Sequence, residues 1–336
     1  MNPWIALQIA CALVATALLV RASFTAFTVV RHFDVMRATE GQLALERRVE
    51  LAATFVRVGA AAQVVALVLS ALAADKLSRG IRGAMCAYGT FNSSPWGFRA
   101  LAASVVAALA AGTLAQLYAF DARVRTMQLA KPLAWLTLLV APLALGALAL
   151  QCIFLFDLDL SVVASCCSVQ LDAVASARAV TASGPRLASV ALAAIAGAVC
   201  VILALACARR PRRPLAVLTG ALGALVVPLA LAAVVLEVAP YAFEVPQHHC
   251  PFCLLRADAG AIGYPLFGAL FLGAIWIFGA GLSAILARAP DPRAAWASFA
   301  SSRLRRAAFA WVLFALLCVA PVVRYAIVSH GATLFP

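Results

Sequence analysis

The residues of this sequence best suited to chemistry are the histidines and cysteines of a His-His-Cys-Pro-Phe-Cys motif at 248–253. Cysteines separated by two residues carry out thiol–disulfide exchange in redox proteins, and the same spacing lets two thiolates bind one soft metal ion. His248 and His249 suit both uses, because imidazolium favours a neighbouring thiolate and neutral imidazole is a metal ligand. We therefore expect Cys250 and Cys253 to form an exchanging pair or, with His248 and His249, a metal site. An unreactive structural disulfide is the remaining interpretation.

Three more cysteines lie in segments that separate apolar runs: Cys86, Cys166 and Cys167. Adjacent cysteines are poorly placed to bridge one another, because the closed ring is strained. Cys166 and Cys167 should therefore pair with cysteines of other segments or share a soft metal ion. Together with the two cysteines of the motif, these three form the predicted catalytic set, in which Cys86 and one of Cys166 or Cys167 form a relaying pair. Four other cysteines are assigned to packing within apolar runs: Cys11, Cys200, Cys207 and Cys318.

The elements that must position these thiols are membrane-spanning helices. Of the 336 residues, 65% are apolar and 12% are charged, and this composition excludes a water-soluble enzyme. A transmembrane helix needs about 17–25 mostly apolar residues. Eight such runs are present: Trp4–Val20, Leu51–Ala74, Ala100–Phe120, Leu133–Phe156, Leu187–Cys207, Leu215–Val238, Tyr264–Ala287 and Ala307–Ala326. The predicted fold is all-α, a polytopic helical bundle of about eight transmembrane helices forming one membrane domain over residues 1–336.

The net charge of +13 gives the expected orientation. Of the 26 lysines and arginines, 17 fall in the segments after the odd-numbered runs and eight on the opposite side. Because basic residues favour the cytoplasmic side, we expect both termini outside, with segments 75–99, 157–186 and 239–263 forming one external thiol-rich cap. Residues 31–50 should form a cytoplasmic amphipathic helix. The charge is thus a topology signal, with no nucleic acid partner, and we expect a multi-pass protein of the bacterial inner membrane.

Two resemblances support the redox interpretation. The Cys-Pro-Phe-Cys tetrapeptide is similar to the active-site motif of thioredoxin-like and glutaredoxin-like proteins. The arrangement of loop cysteines on a helical bundle is similar in logic to the DsbB and vitamin K epoxide reductase families, which pass electrons between external cysteines and a quinone. This resemblance implies a membrane thiol–disulfide oxidoreductase, with a quinone as cofactor and an external thioredoxin-like protein as partner.

Two alternatives remain open at the level of sequence. The first is a membrane protein that binds or transports a soft metal ion (copper, zinc or mercury), in which case the metal is the cofactor. Cys166–Cys167 is similar to the paired thiols of small mercury-uptake membrane proteins. The second is a non-catalytic membrane subunit whose outer segments are held by structural disulfides.

Overall fold

The computed structural model describes residues 3–34, 39–124, 126–159, 183–332 and 334–335, and within these ranges the chain is helical with no β-strand. Eight helical segments are long and apolar enough to cross a membrane, as the composition predicts. The helices are α1 Pro3–His32, α2 Glu40–Ser78, α3 Ala87–Asn92, α4 Gly97–Asp121, α5 Ala130–Phe156, α6 Ser183–Arg209, α7 Arg213–Ala233, α8 Ala239–Phe243, α9 Gly263–Leu286 and α10 Pro290–Val328. A π-helical turn, Val234–Val238, joins α7 to α8 into one spanning segment.

Several helices are longer than the apolar runs that predict them. Both α2 and α10 have 39 residues, which corresponds to about 58 Å at about 1.5 Å per residue, against about 30 Å for the hydrocarbon core. Of the segment 31–50, expected to form one amphipathic helix, residues 31–32 end α1 and residues 40–50 begin α2. Thr39 caps the start of α2, because its side chain accepts a hydrogen bond from the Gln42 amide.

The spanning helices form two four-helix bundles with the same order of packing. In the N-terminal bundle, α1 packs on α2, α2 on α4, α4 on α5 and α5 back on α1; in the C-terminal bundle, α6, α7, α9 and α10 pack in the same cycle. Each bundle also has an arginine on its second spanning helix that donates to a carbonyl in the last turn of the third. Arg57 donates to the Tyr118 carbonyl at 3.1 Å, and Arg213 to the Ala284 carbonyl at 2.9 Å.

The two bundles meet where α4 packs against α9, the third spanning helix of each. Glycines allow the helices to approach closely here. A Cβ added to Gly112 would lie 2.6 Å from the Ile275 Cδ1, and one added to Gly279 would lie 2.7 Å from the Gln116 Cβ. Both separations are too short for real carbon contacts. The two bundles can therefore pack this closely only because Gly112 and Gly279 have no side chain.

The two ends of the molecule differ in the residues they gather. At one end, called the thiol end, the segments 75–99 and 239–263 meet, and Ser94 donates to Asp157 at 2.6 Å. The opposite end, where α10 begins and α4 and α9 end, carries most of the arginines and is called the basic end. Of the three segments expected to form one cap, 75–99 and 239–263 thus contact each other, and the cap as a whole stays a prediction.

Candidate thiol site

Three cysteines from the two bundles form a buried cluster at the thiol end. The sulfurs of Cys86, Cys250 and Cys253 all lie within 4.8 Å of one another, and the Cys86 and Cys250 sulfurs are 3.6 Å apart. The exposed fractions of these residues are 1%, 1% and 5%. We call this group the three-sulfur cluster. The other two predicted members, Cys166 and Cys167, lie outside the described residues.

The local backbone explains why the two cysteines of the motif point the same way. Cys250 caps a 3₁₀-helical turn, Pro251–Leu255, that begins with the proline of the motif. Proline suits the first position of a helix, because its fixed φ matches and its missing N–H has no partner there. A 3₁₀-helix has three residues per turn, so side chains three apart eclipse one another. Cys253 therefore lies on the same face as Cys250.

Phe252, between the two cysteines, anchors the motif to the N-terminal bundle. Its ring centroid lies 5.7 Å from that of Phe91, 6.2 Å from that of Phe98 and 6.4 Å from that of Tyr88. Tilted ring pairs at 4.5–7 Å are favourable beyond the area they bury. Phe91, itself 1% exposed, also stacks on Phe154 of α5 at 5.7 Å. The aromatic contacts thus hold the 3₁₀ turn against α3, α4 and α5.

Arg256 adds a polar connection between the same two segments. Its Nη1 donates to the main-chain carbonyl of Met85 at 2.8 Å, and its Nη2 lies 2.6 Å from the Asp258 carboxylate. Met85 precedes Cys86, and Arg256 follows the 3₁₀ turn directly. The guanidinium therefore fixes the backbone on both sides of the cluster.

His249 fastens the start of the motif to the C-terminal bundle. In the π-helical turn, the Ala239 amide donates to the Val234 carbonyl five residues earlier. By the same register the Val235 carbonyl would accept from residue 240, but Pro240 has no N–H to donate. The His249 Nδ1 lies 3.1 Å from this carbonyl. Because a carbonyl only accepts, Nδ1 carries the proton, and His249 satisfies the acceptor that Pro240 leaves open.

The two imidazoles therefore have positions different from those of metal ligands in the cluster. Neither His248 nor His249 has a ring nitrogen within 4.8 Å of all three sulfurs. The His248 ring packs on Phe243 at 4.3 Å, and Phe243 in turn packs against the cluster. Of the predicted ligand set, the structure brings together Cys250 and Cys253, and it adds Cys86 in place of the histidines.

Two of the cysteines within the spans, Cys200 and Cys207, are buried and donate to main-chain carbonyls. The Cys200 thiol donates to the Thr219 carbonyl and the Cys207 thiol to the Arg212 carbonyl, each at 3.6 Å. Both residues are buried in the core of the C-terminal bundle. The packing role expected for them from the sequence stays a prediction.

No family model, curated protein or solved structure with which the chain was compared matches it. What the site does is therefore inferred from its own contacts. Three residues that matter for these contacts, Phe252, Arg256 and Pro240, were not among the predicted site residues. A signal was present for Phe252, because an aromatic residue inside the motif has suitable partners in the aromatic-rich segment around Cys86.

Proposed function

We propose that this protein is a membrane thiol–disulfide oxidoreductase in which Cys86 and Cys250 form the disulfide and Cys253 is the exchanging thiol. The observation that supports this proposal is the 3.6 Å separation of the Cys86 and Cys250 sulfurs, with the Cys253 sulfur within 4.8 Å of both. A disulfide needs the two sulfurs at about 2.05 Å, which requires an approach of about 1.5 Å.

The chemistry takes two steps. Cys86 and Cys250 lose two protons and two electrons when their bond forms, and the disulfide of an external thioredoxin-like protein accepts them and leaves as a dithiol. The Cys253 thiolate then attacks the Cys250 sulfur. The Cys250–Cys253 bond forms, the Cys86–Cys250 bond breaks, and Cys86 leaves as a thiolate. This second step is an exchange and consumes no oxidant.

Access to the cluster requires a local opening. With exposed fractions of 5% or less, the sulfurs cannot meet a protein partner while the 3₁₀ turn is docked. Three contacts hold this turn: the Phe252 ring, the Arg256 guanidinium and the His249 imidazole. In the proposed cycle, release of these contacts exposes Cys253 first, because it is the most exposed of the three.

The orientation belongs to the same proposal. We propose that the thiol end faces the outside of a bacterial inner membrane, because 17 of the 26 basic residues fall on the opposite side. A membrane-impermeant thiol reagent should reach Cys250 in intact, reduced spheroplasts. Labelling that occurs only after lysis would reverse the orientation.

The redox proposal is tested by thiol counting. The protein in nanodiscs, purified under inert gas, is equilibrated in glutathione buffers and labelled with a mass-tagged alkylating reagent. We expect one reversible two-thiol transition, absent in Cys250→Ser, because Cys250 takes part in both proposed disulfides. Cys253→Ser should keep the transition but form no Cys250–Cys253 disulfide, because the thiolate that attacks the Cys250 sulfur is missing. Cys11→Ser is the matched control, since Cys11 is a thiol in α1.

A second arm adds a soluble ubiquinone analogue to the reduced protein and asks whether the same pair oxidises, since the resemblance implies a quinone acceptor. A cluster that stays reduced in every buffer overturns the redox proposal. Disulfides that no reductant opens would overturn it too, and would support the non-catalytic subunit.

Soft-metal binding is the second candidate, and it rests on the mutual proximity of three sulfurs. Thiolates select soft ions such as Cu(I) and zinc. Structural zinc takes four ligands, so three sulfurs suit a three-coordinate Cu(I) ion better. In this case Cu(I) should bind stoichiometrically, protect all three thiols from alkylation together, and be lost in Cys250→Ser. Removal by a chelator without any reductant distinguishes this outcome from a disulfide.

A further inference from the structure

A second site candidate lies at the basic end, around the buried ring of Phe299. The guanidinium carbons of Arg303 and Arg123 lie 5.1 Å and 5.4 Å from the centroid of this ring, which is itself 0% exposed. The charged groups that act on Arg303 are Arg306 and Arg123, both cations. Arg306 on α10 and Arg123 in the turn after α4 therefore place two further positive charges near enough to Arg303 to act on it.

These charges have no counterion among the residues that the structure describes. No carboxylate oxygen in those ranges lies within 4.0 Å of the Arg123, Arg303 or Arg306 guanidinium. Asp121, the acid nearest to Arg123 in the sequence, interacts electrostatically with Arg57. The Arg303 Nε is buried and has no hydrogen-bond partner among the residues that the structure describes. A buried donor beside like charges is unfavourable until an anion accepts from it.

The position of Arg303 and Arg306 along α10 indicates which anions can reach these arginines. Arg303 and Arg306 immediately precede a run of residues with exposed apolar side chains, including Phe309 at 73% and Leu316 at 62%. These side chains face the lipid hydrocarbon, so the arginines just before them lie at the level of the headgroups. Guanidinium groups bind phosphate oxygens through two parallel hydrogen bonds.

We propose that Arg303, Arg306 and Arg123 form a binding site for a phosphate group, supplied by the headgroup of an anionic phospholipid in the leaflet at the basic end. Arg303 donates from its half-buried side chain, while the exposed Arg306 and Arg123 close around the phosphate. The Phe299 ring holds the Arg303 and Arg123 guanidiniums in place. This site is independent of the proposed function of the thiols.

Native mass spectrometry of the detergent-purified protein tests the site with phosphatidylglycerol, phosphatidylcholine and inorganic phosphate as probes. We expect retention of phosphatidylglycerol over phosphatidylcholine, and about fivefold weaker retention in Arg303→Gln and in Arg306→Gln, as removal of one basic group near anionic lipid predicts. Arg305→Gln is the matched control, because Arg305 is a neighbour on α10 that is not among the charges acting on Arg303.

Further outcomes decide whether the phosphate comes from a lipid and whether the site exists. Binding of inorganic phosphate that depends on Arg303, with no preference for phosphatidylglycerol, supports the phosphate site and overturns the lipid as its source. An equal loss in Arg305→Gln, or no retained anion in the unaltered protein, overturns the proposal. Arg306→Gln replaces an exposed side chain, so it keeps the test valid if Arg303→Gln does not fold.

Discussion

The arginines of the thiol end and of the basic end differ in one respect: within the described residues, only those of the thiol end have carboxylates among their partners. At the thiol end, guanidiniums lie against carboxylates: Arg186 with Glu237 at 2.5 Å, Arg256 with Asp258 at 2.6 Å and Arg324 with Glu244 at 3.8 Å. At the basic end, within the described ranges, guanidiniums donate to main-chain carbonyls or lie over aromatic rings. Those carbonyls belong to the last turns of α4 and α9, where a positive charge complements the helix dipole.

This difference indicates that arginines fix the thiol site at one end and supply donors to helix termini at the other. The thiol end holds loops, whose backbone has few partners of its own, so directional contacts between side chains fix the site. The basic end holds helix termini, which need only donors for their last carbonyls, and its remaining charge is available to the membrane surface. Substitutions at the thiol end should therefore change the reactivity of the cysteines, and those at the basic end should leave it unchanged.

The largest effect is expected for Phe252→Ala. Removing this half-buried ring takes away its contacts with Phe91 and Phe98, and we expect a loss of about 2–3 kcal/mol in the free energy of unfolding. Alkylation of the three-sulfur cluster should become at least about tenfold faster, because the 3₁₀ turn opens more often. Phe309→Ala, at a lipid-facing position, should leave the alkylation rate unchanged. Equal alkylation rates in the two variants would show that Phe252 does not hold the 3₁₀ turn in place.

A smaller effect is expected for His249→Ala, which leaves the Val235 carbonyl without its donor. An unsatisfied buried acceptor costs about 1–3 kcal/mol. Pro240→Ala supplies a main-chain N–H, so His249→Ala should cost less in that background, and a double-mutant cycle by thermal unfolding measures the difference. Purely additive losses would mean that Pro240 and His249 do not share this carbonyl. His32→Ala, at the basic end, is the control.

The smallest effects concern the ion pairs. Arg256→Gln removes a charged donor to the Met85 carbonyl, and we expect a loss of about 1–2 kcal/mol with a several-fold faster alkylation of Cys86. Arg324→Gln breaks an exposed pair with Glu244 and should cost about 0–1 kcal/mol. Stopped-flow alkylation and thermal unfolding measure both. If the two variants behave alike, the carbonyl contact of Arg256 does not hold the cluster closed.

The sequence predicts the membrane fold well because apolar length alone specifies a spanning helix, and all eight runs are helical. It also predicts that Cys86 and the motif cysteines share one end, because alternating spans place their segments there. It could not predict that the histidines would lie apart from the cluster. That outcome depends on Pro240, whose missing N–H creates an acceptor for His249 only once the π-helical turn has formed. The sequence also could not predict the two matching bundles, because they share an order of helix packing and not a repeated sequence.

The three-sulfur cluster also has a consequence for how the protein is made. Cys86 belongs to the N-terminal bundle and Cys250 lies 164 residues later in the C-terminal bundle. During synthesis, the first thiol emerges long before its neighbours exist and waits until α7 and α9 have entered the bilayer. The three-sulfur cluster therefore cannot assemble until both halves of the chain have been made and have packed against each other.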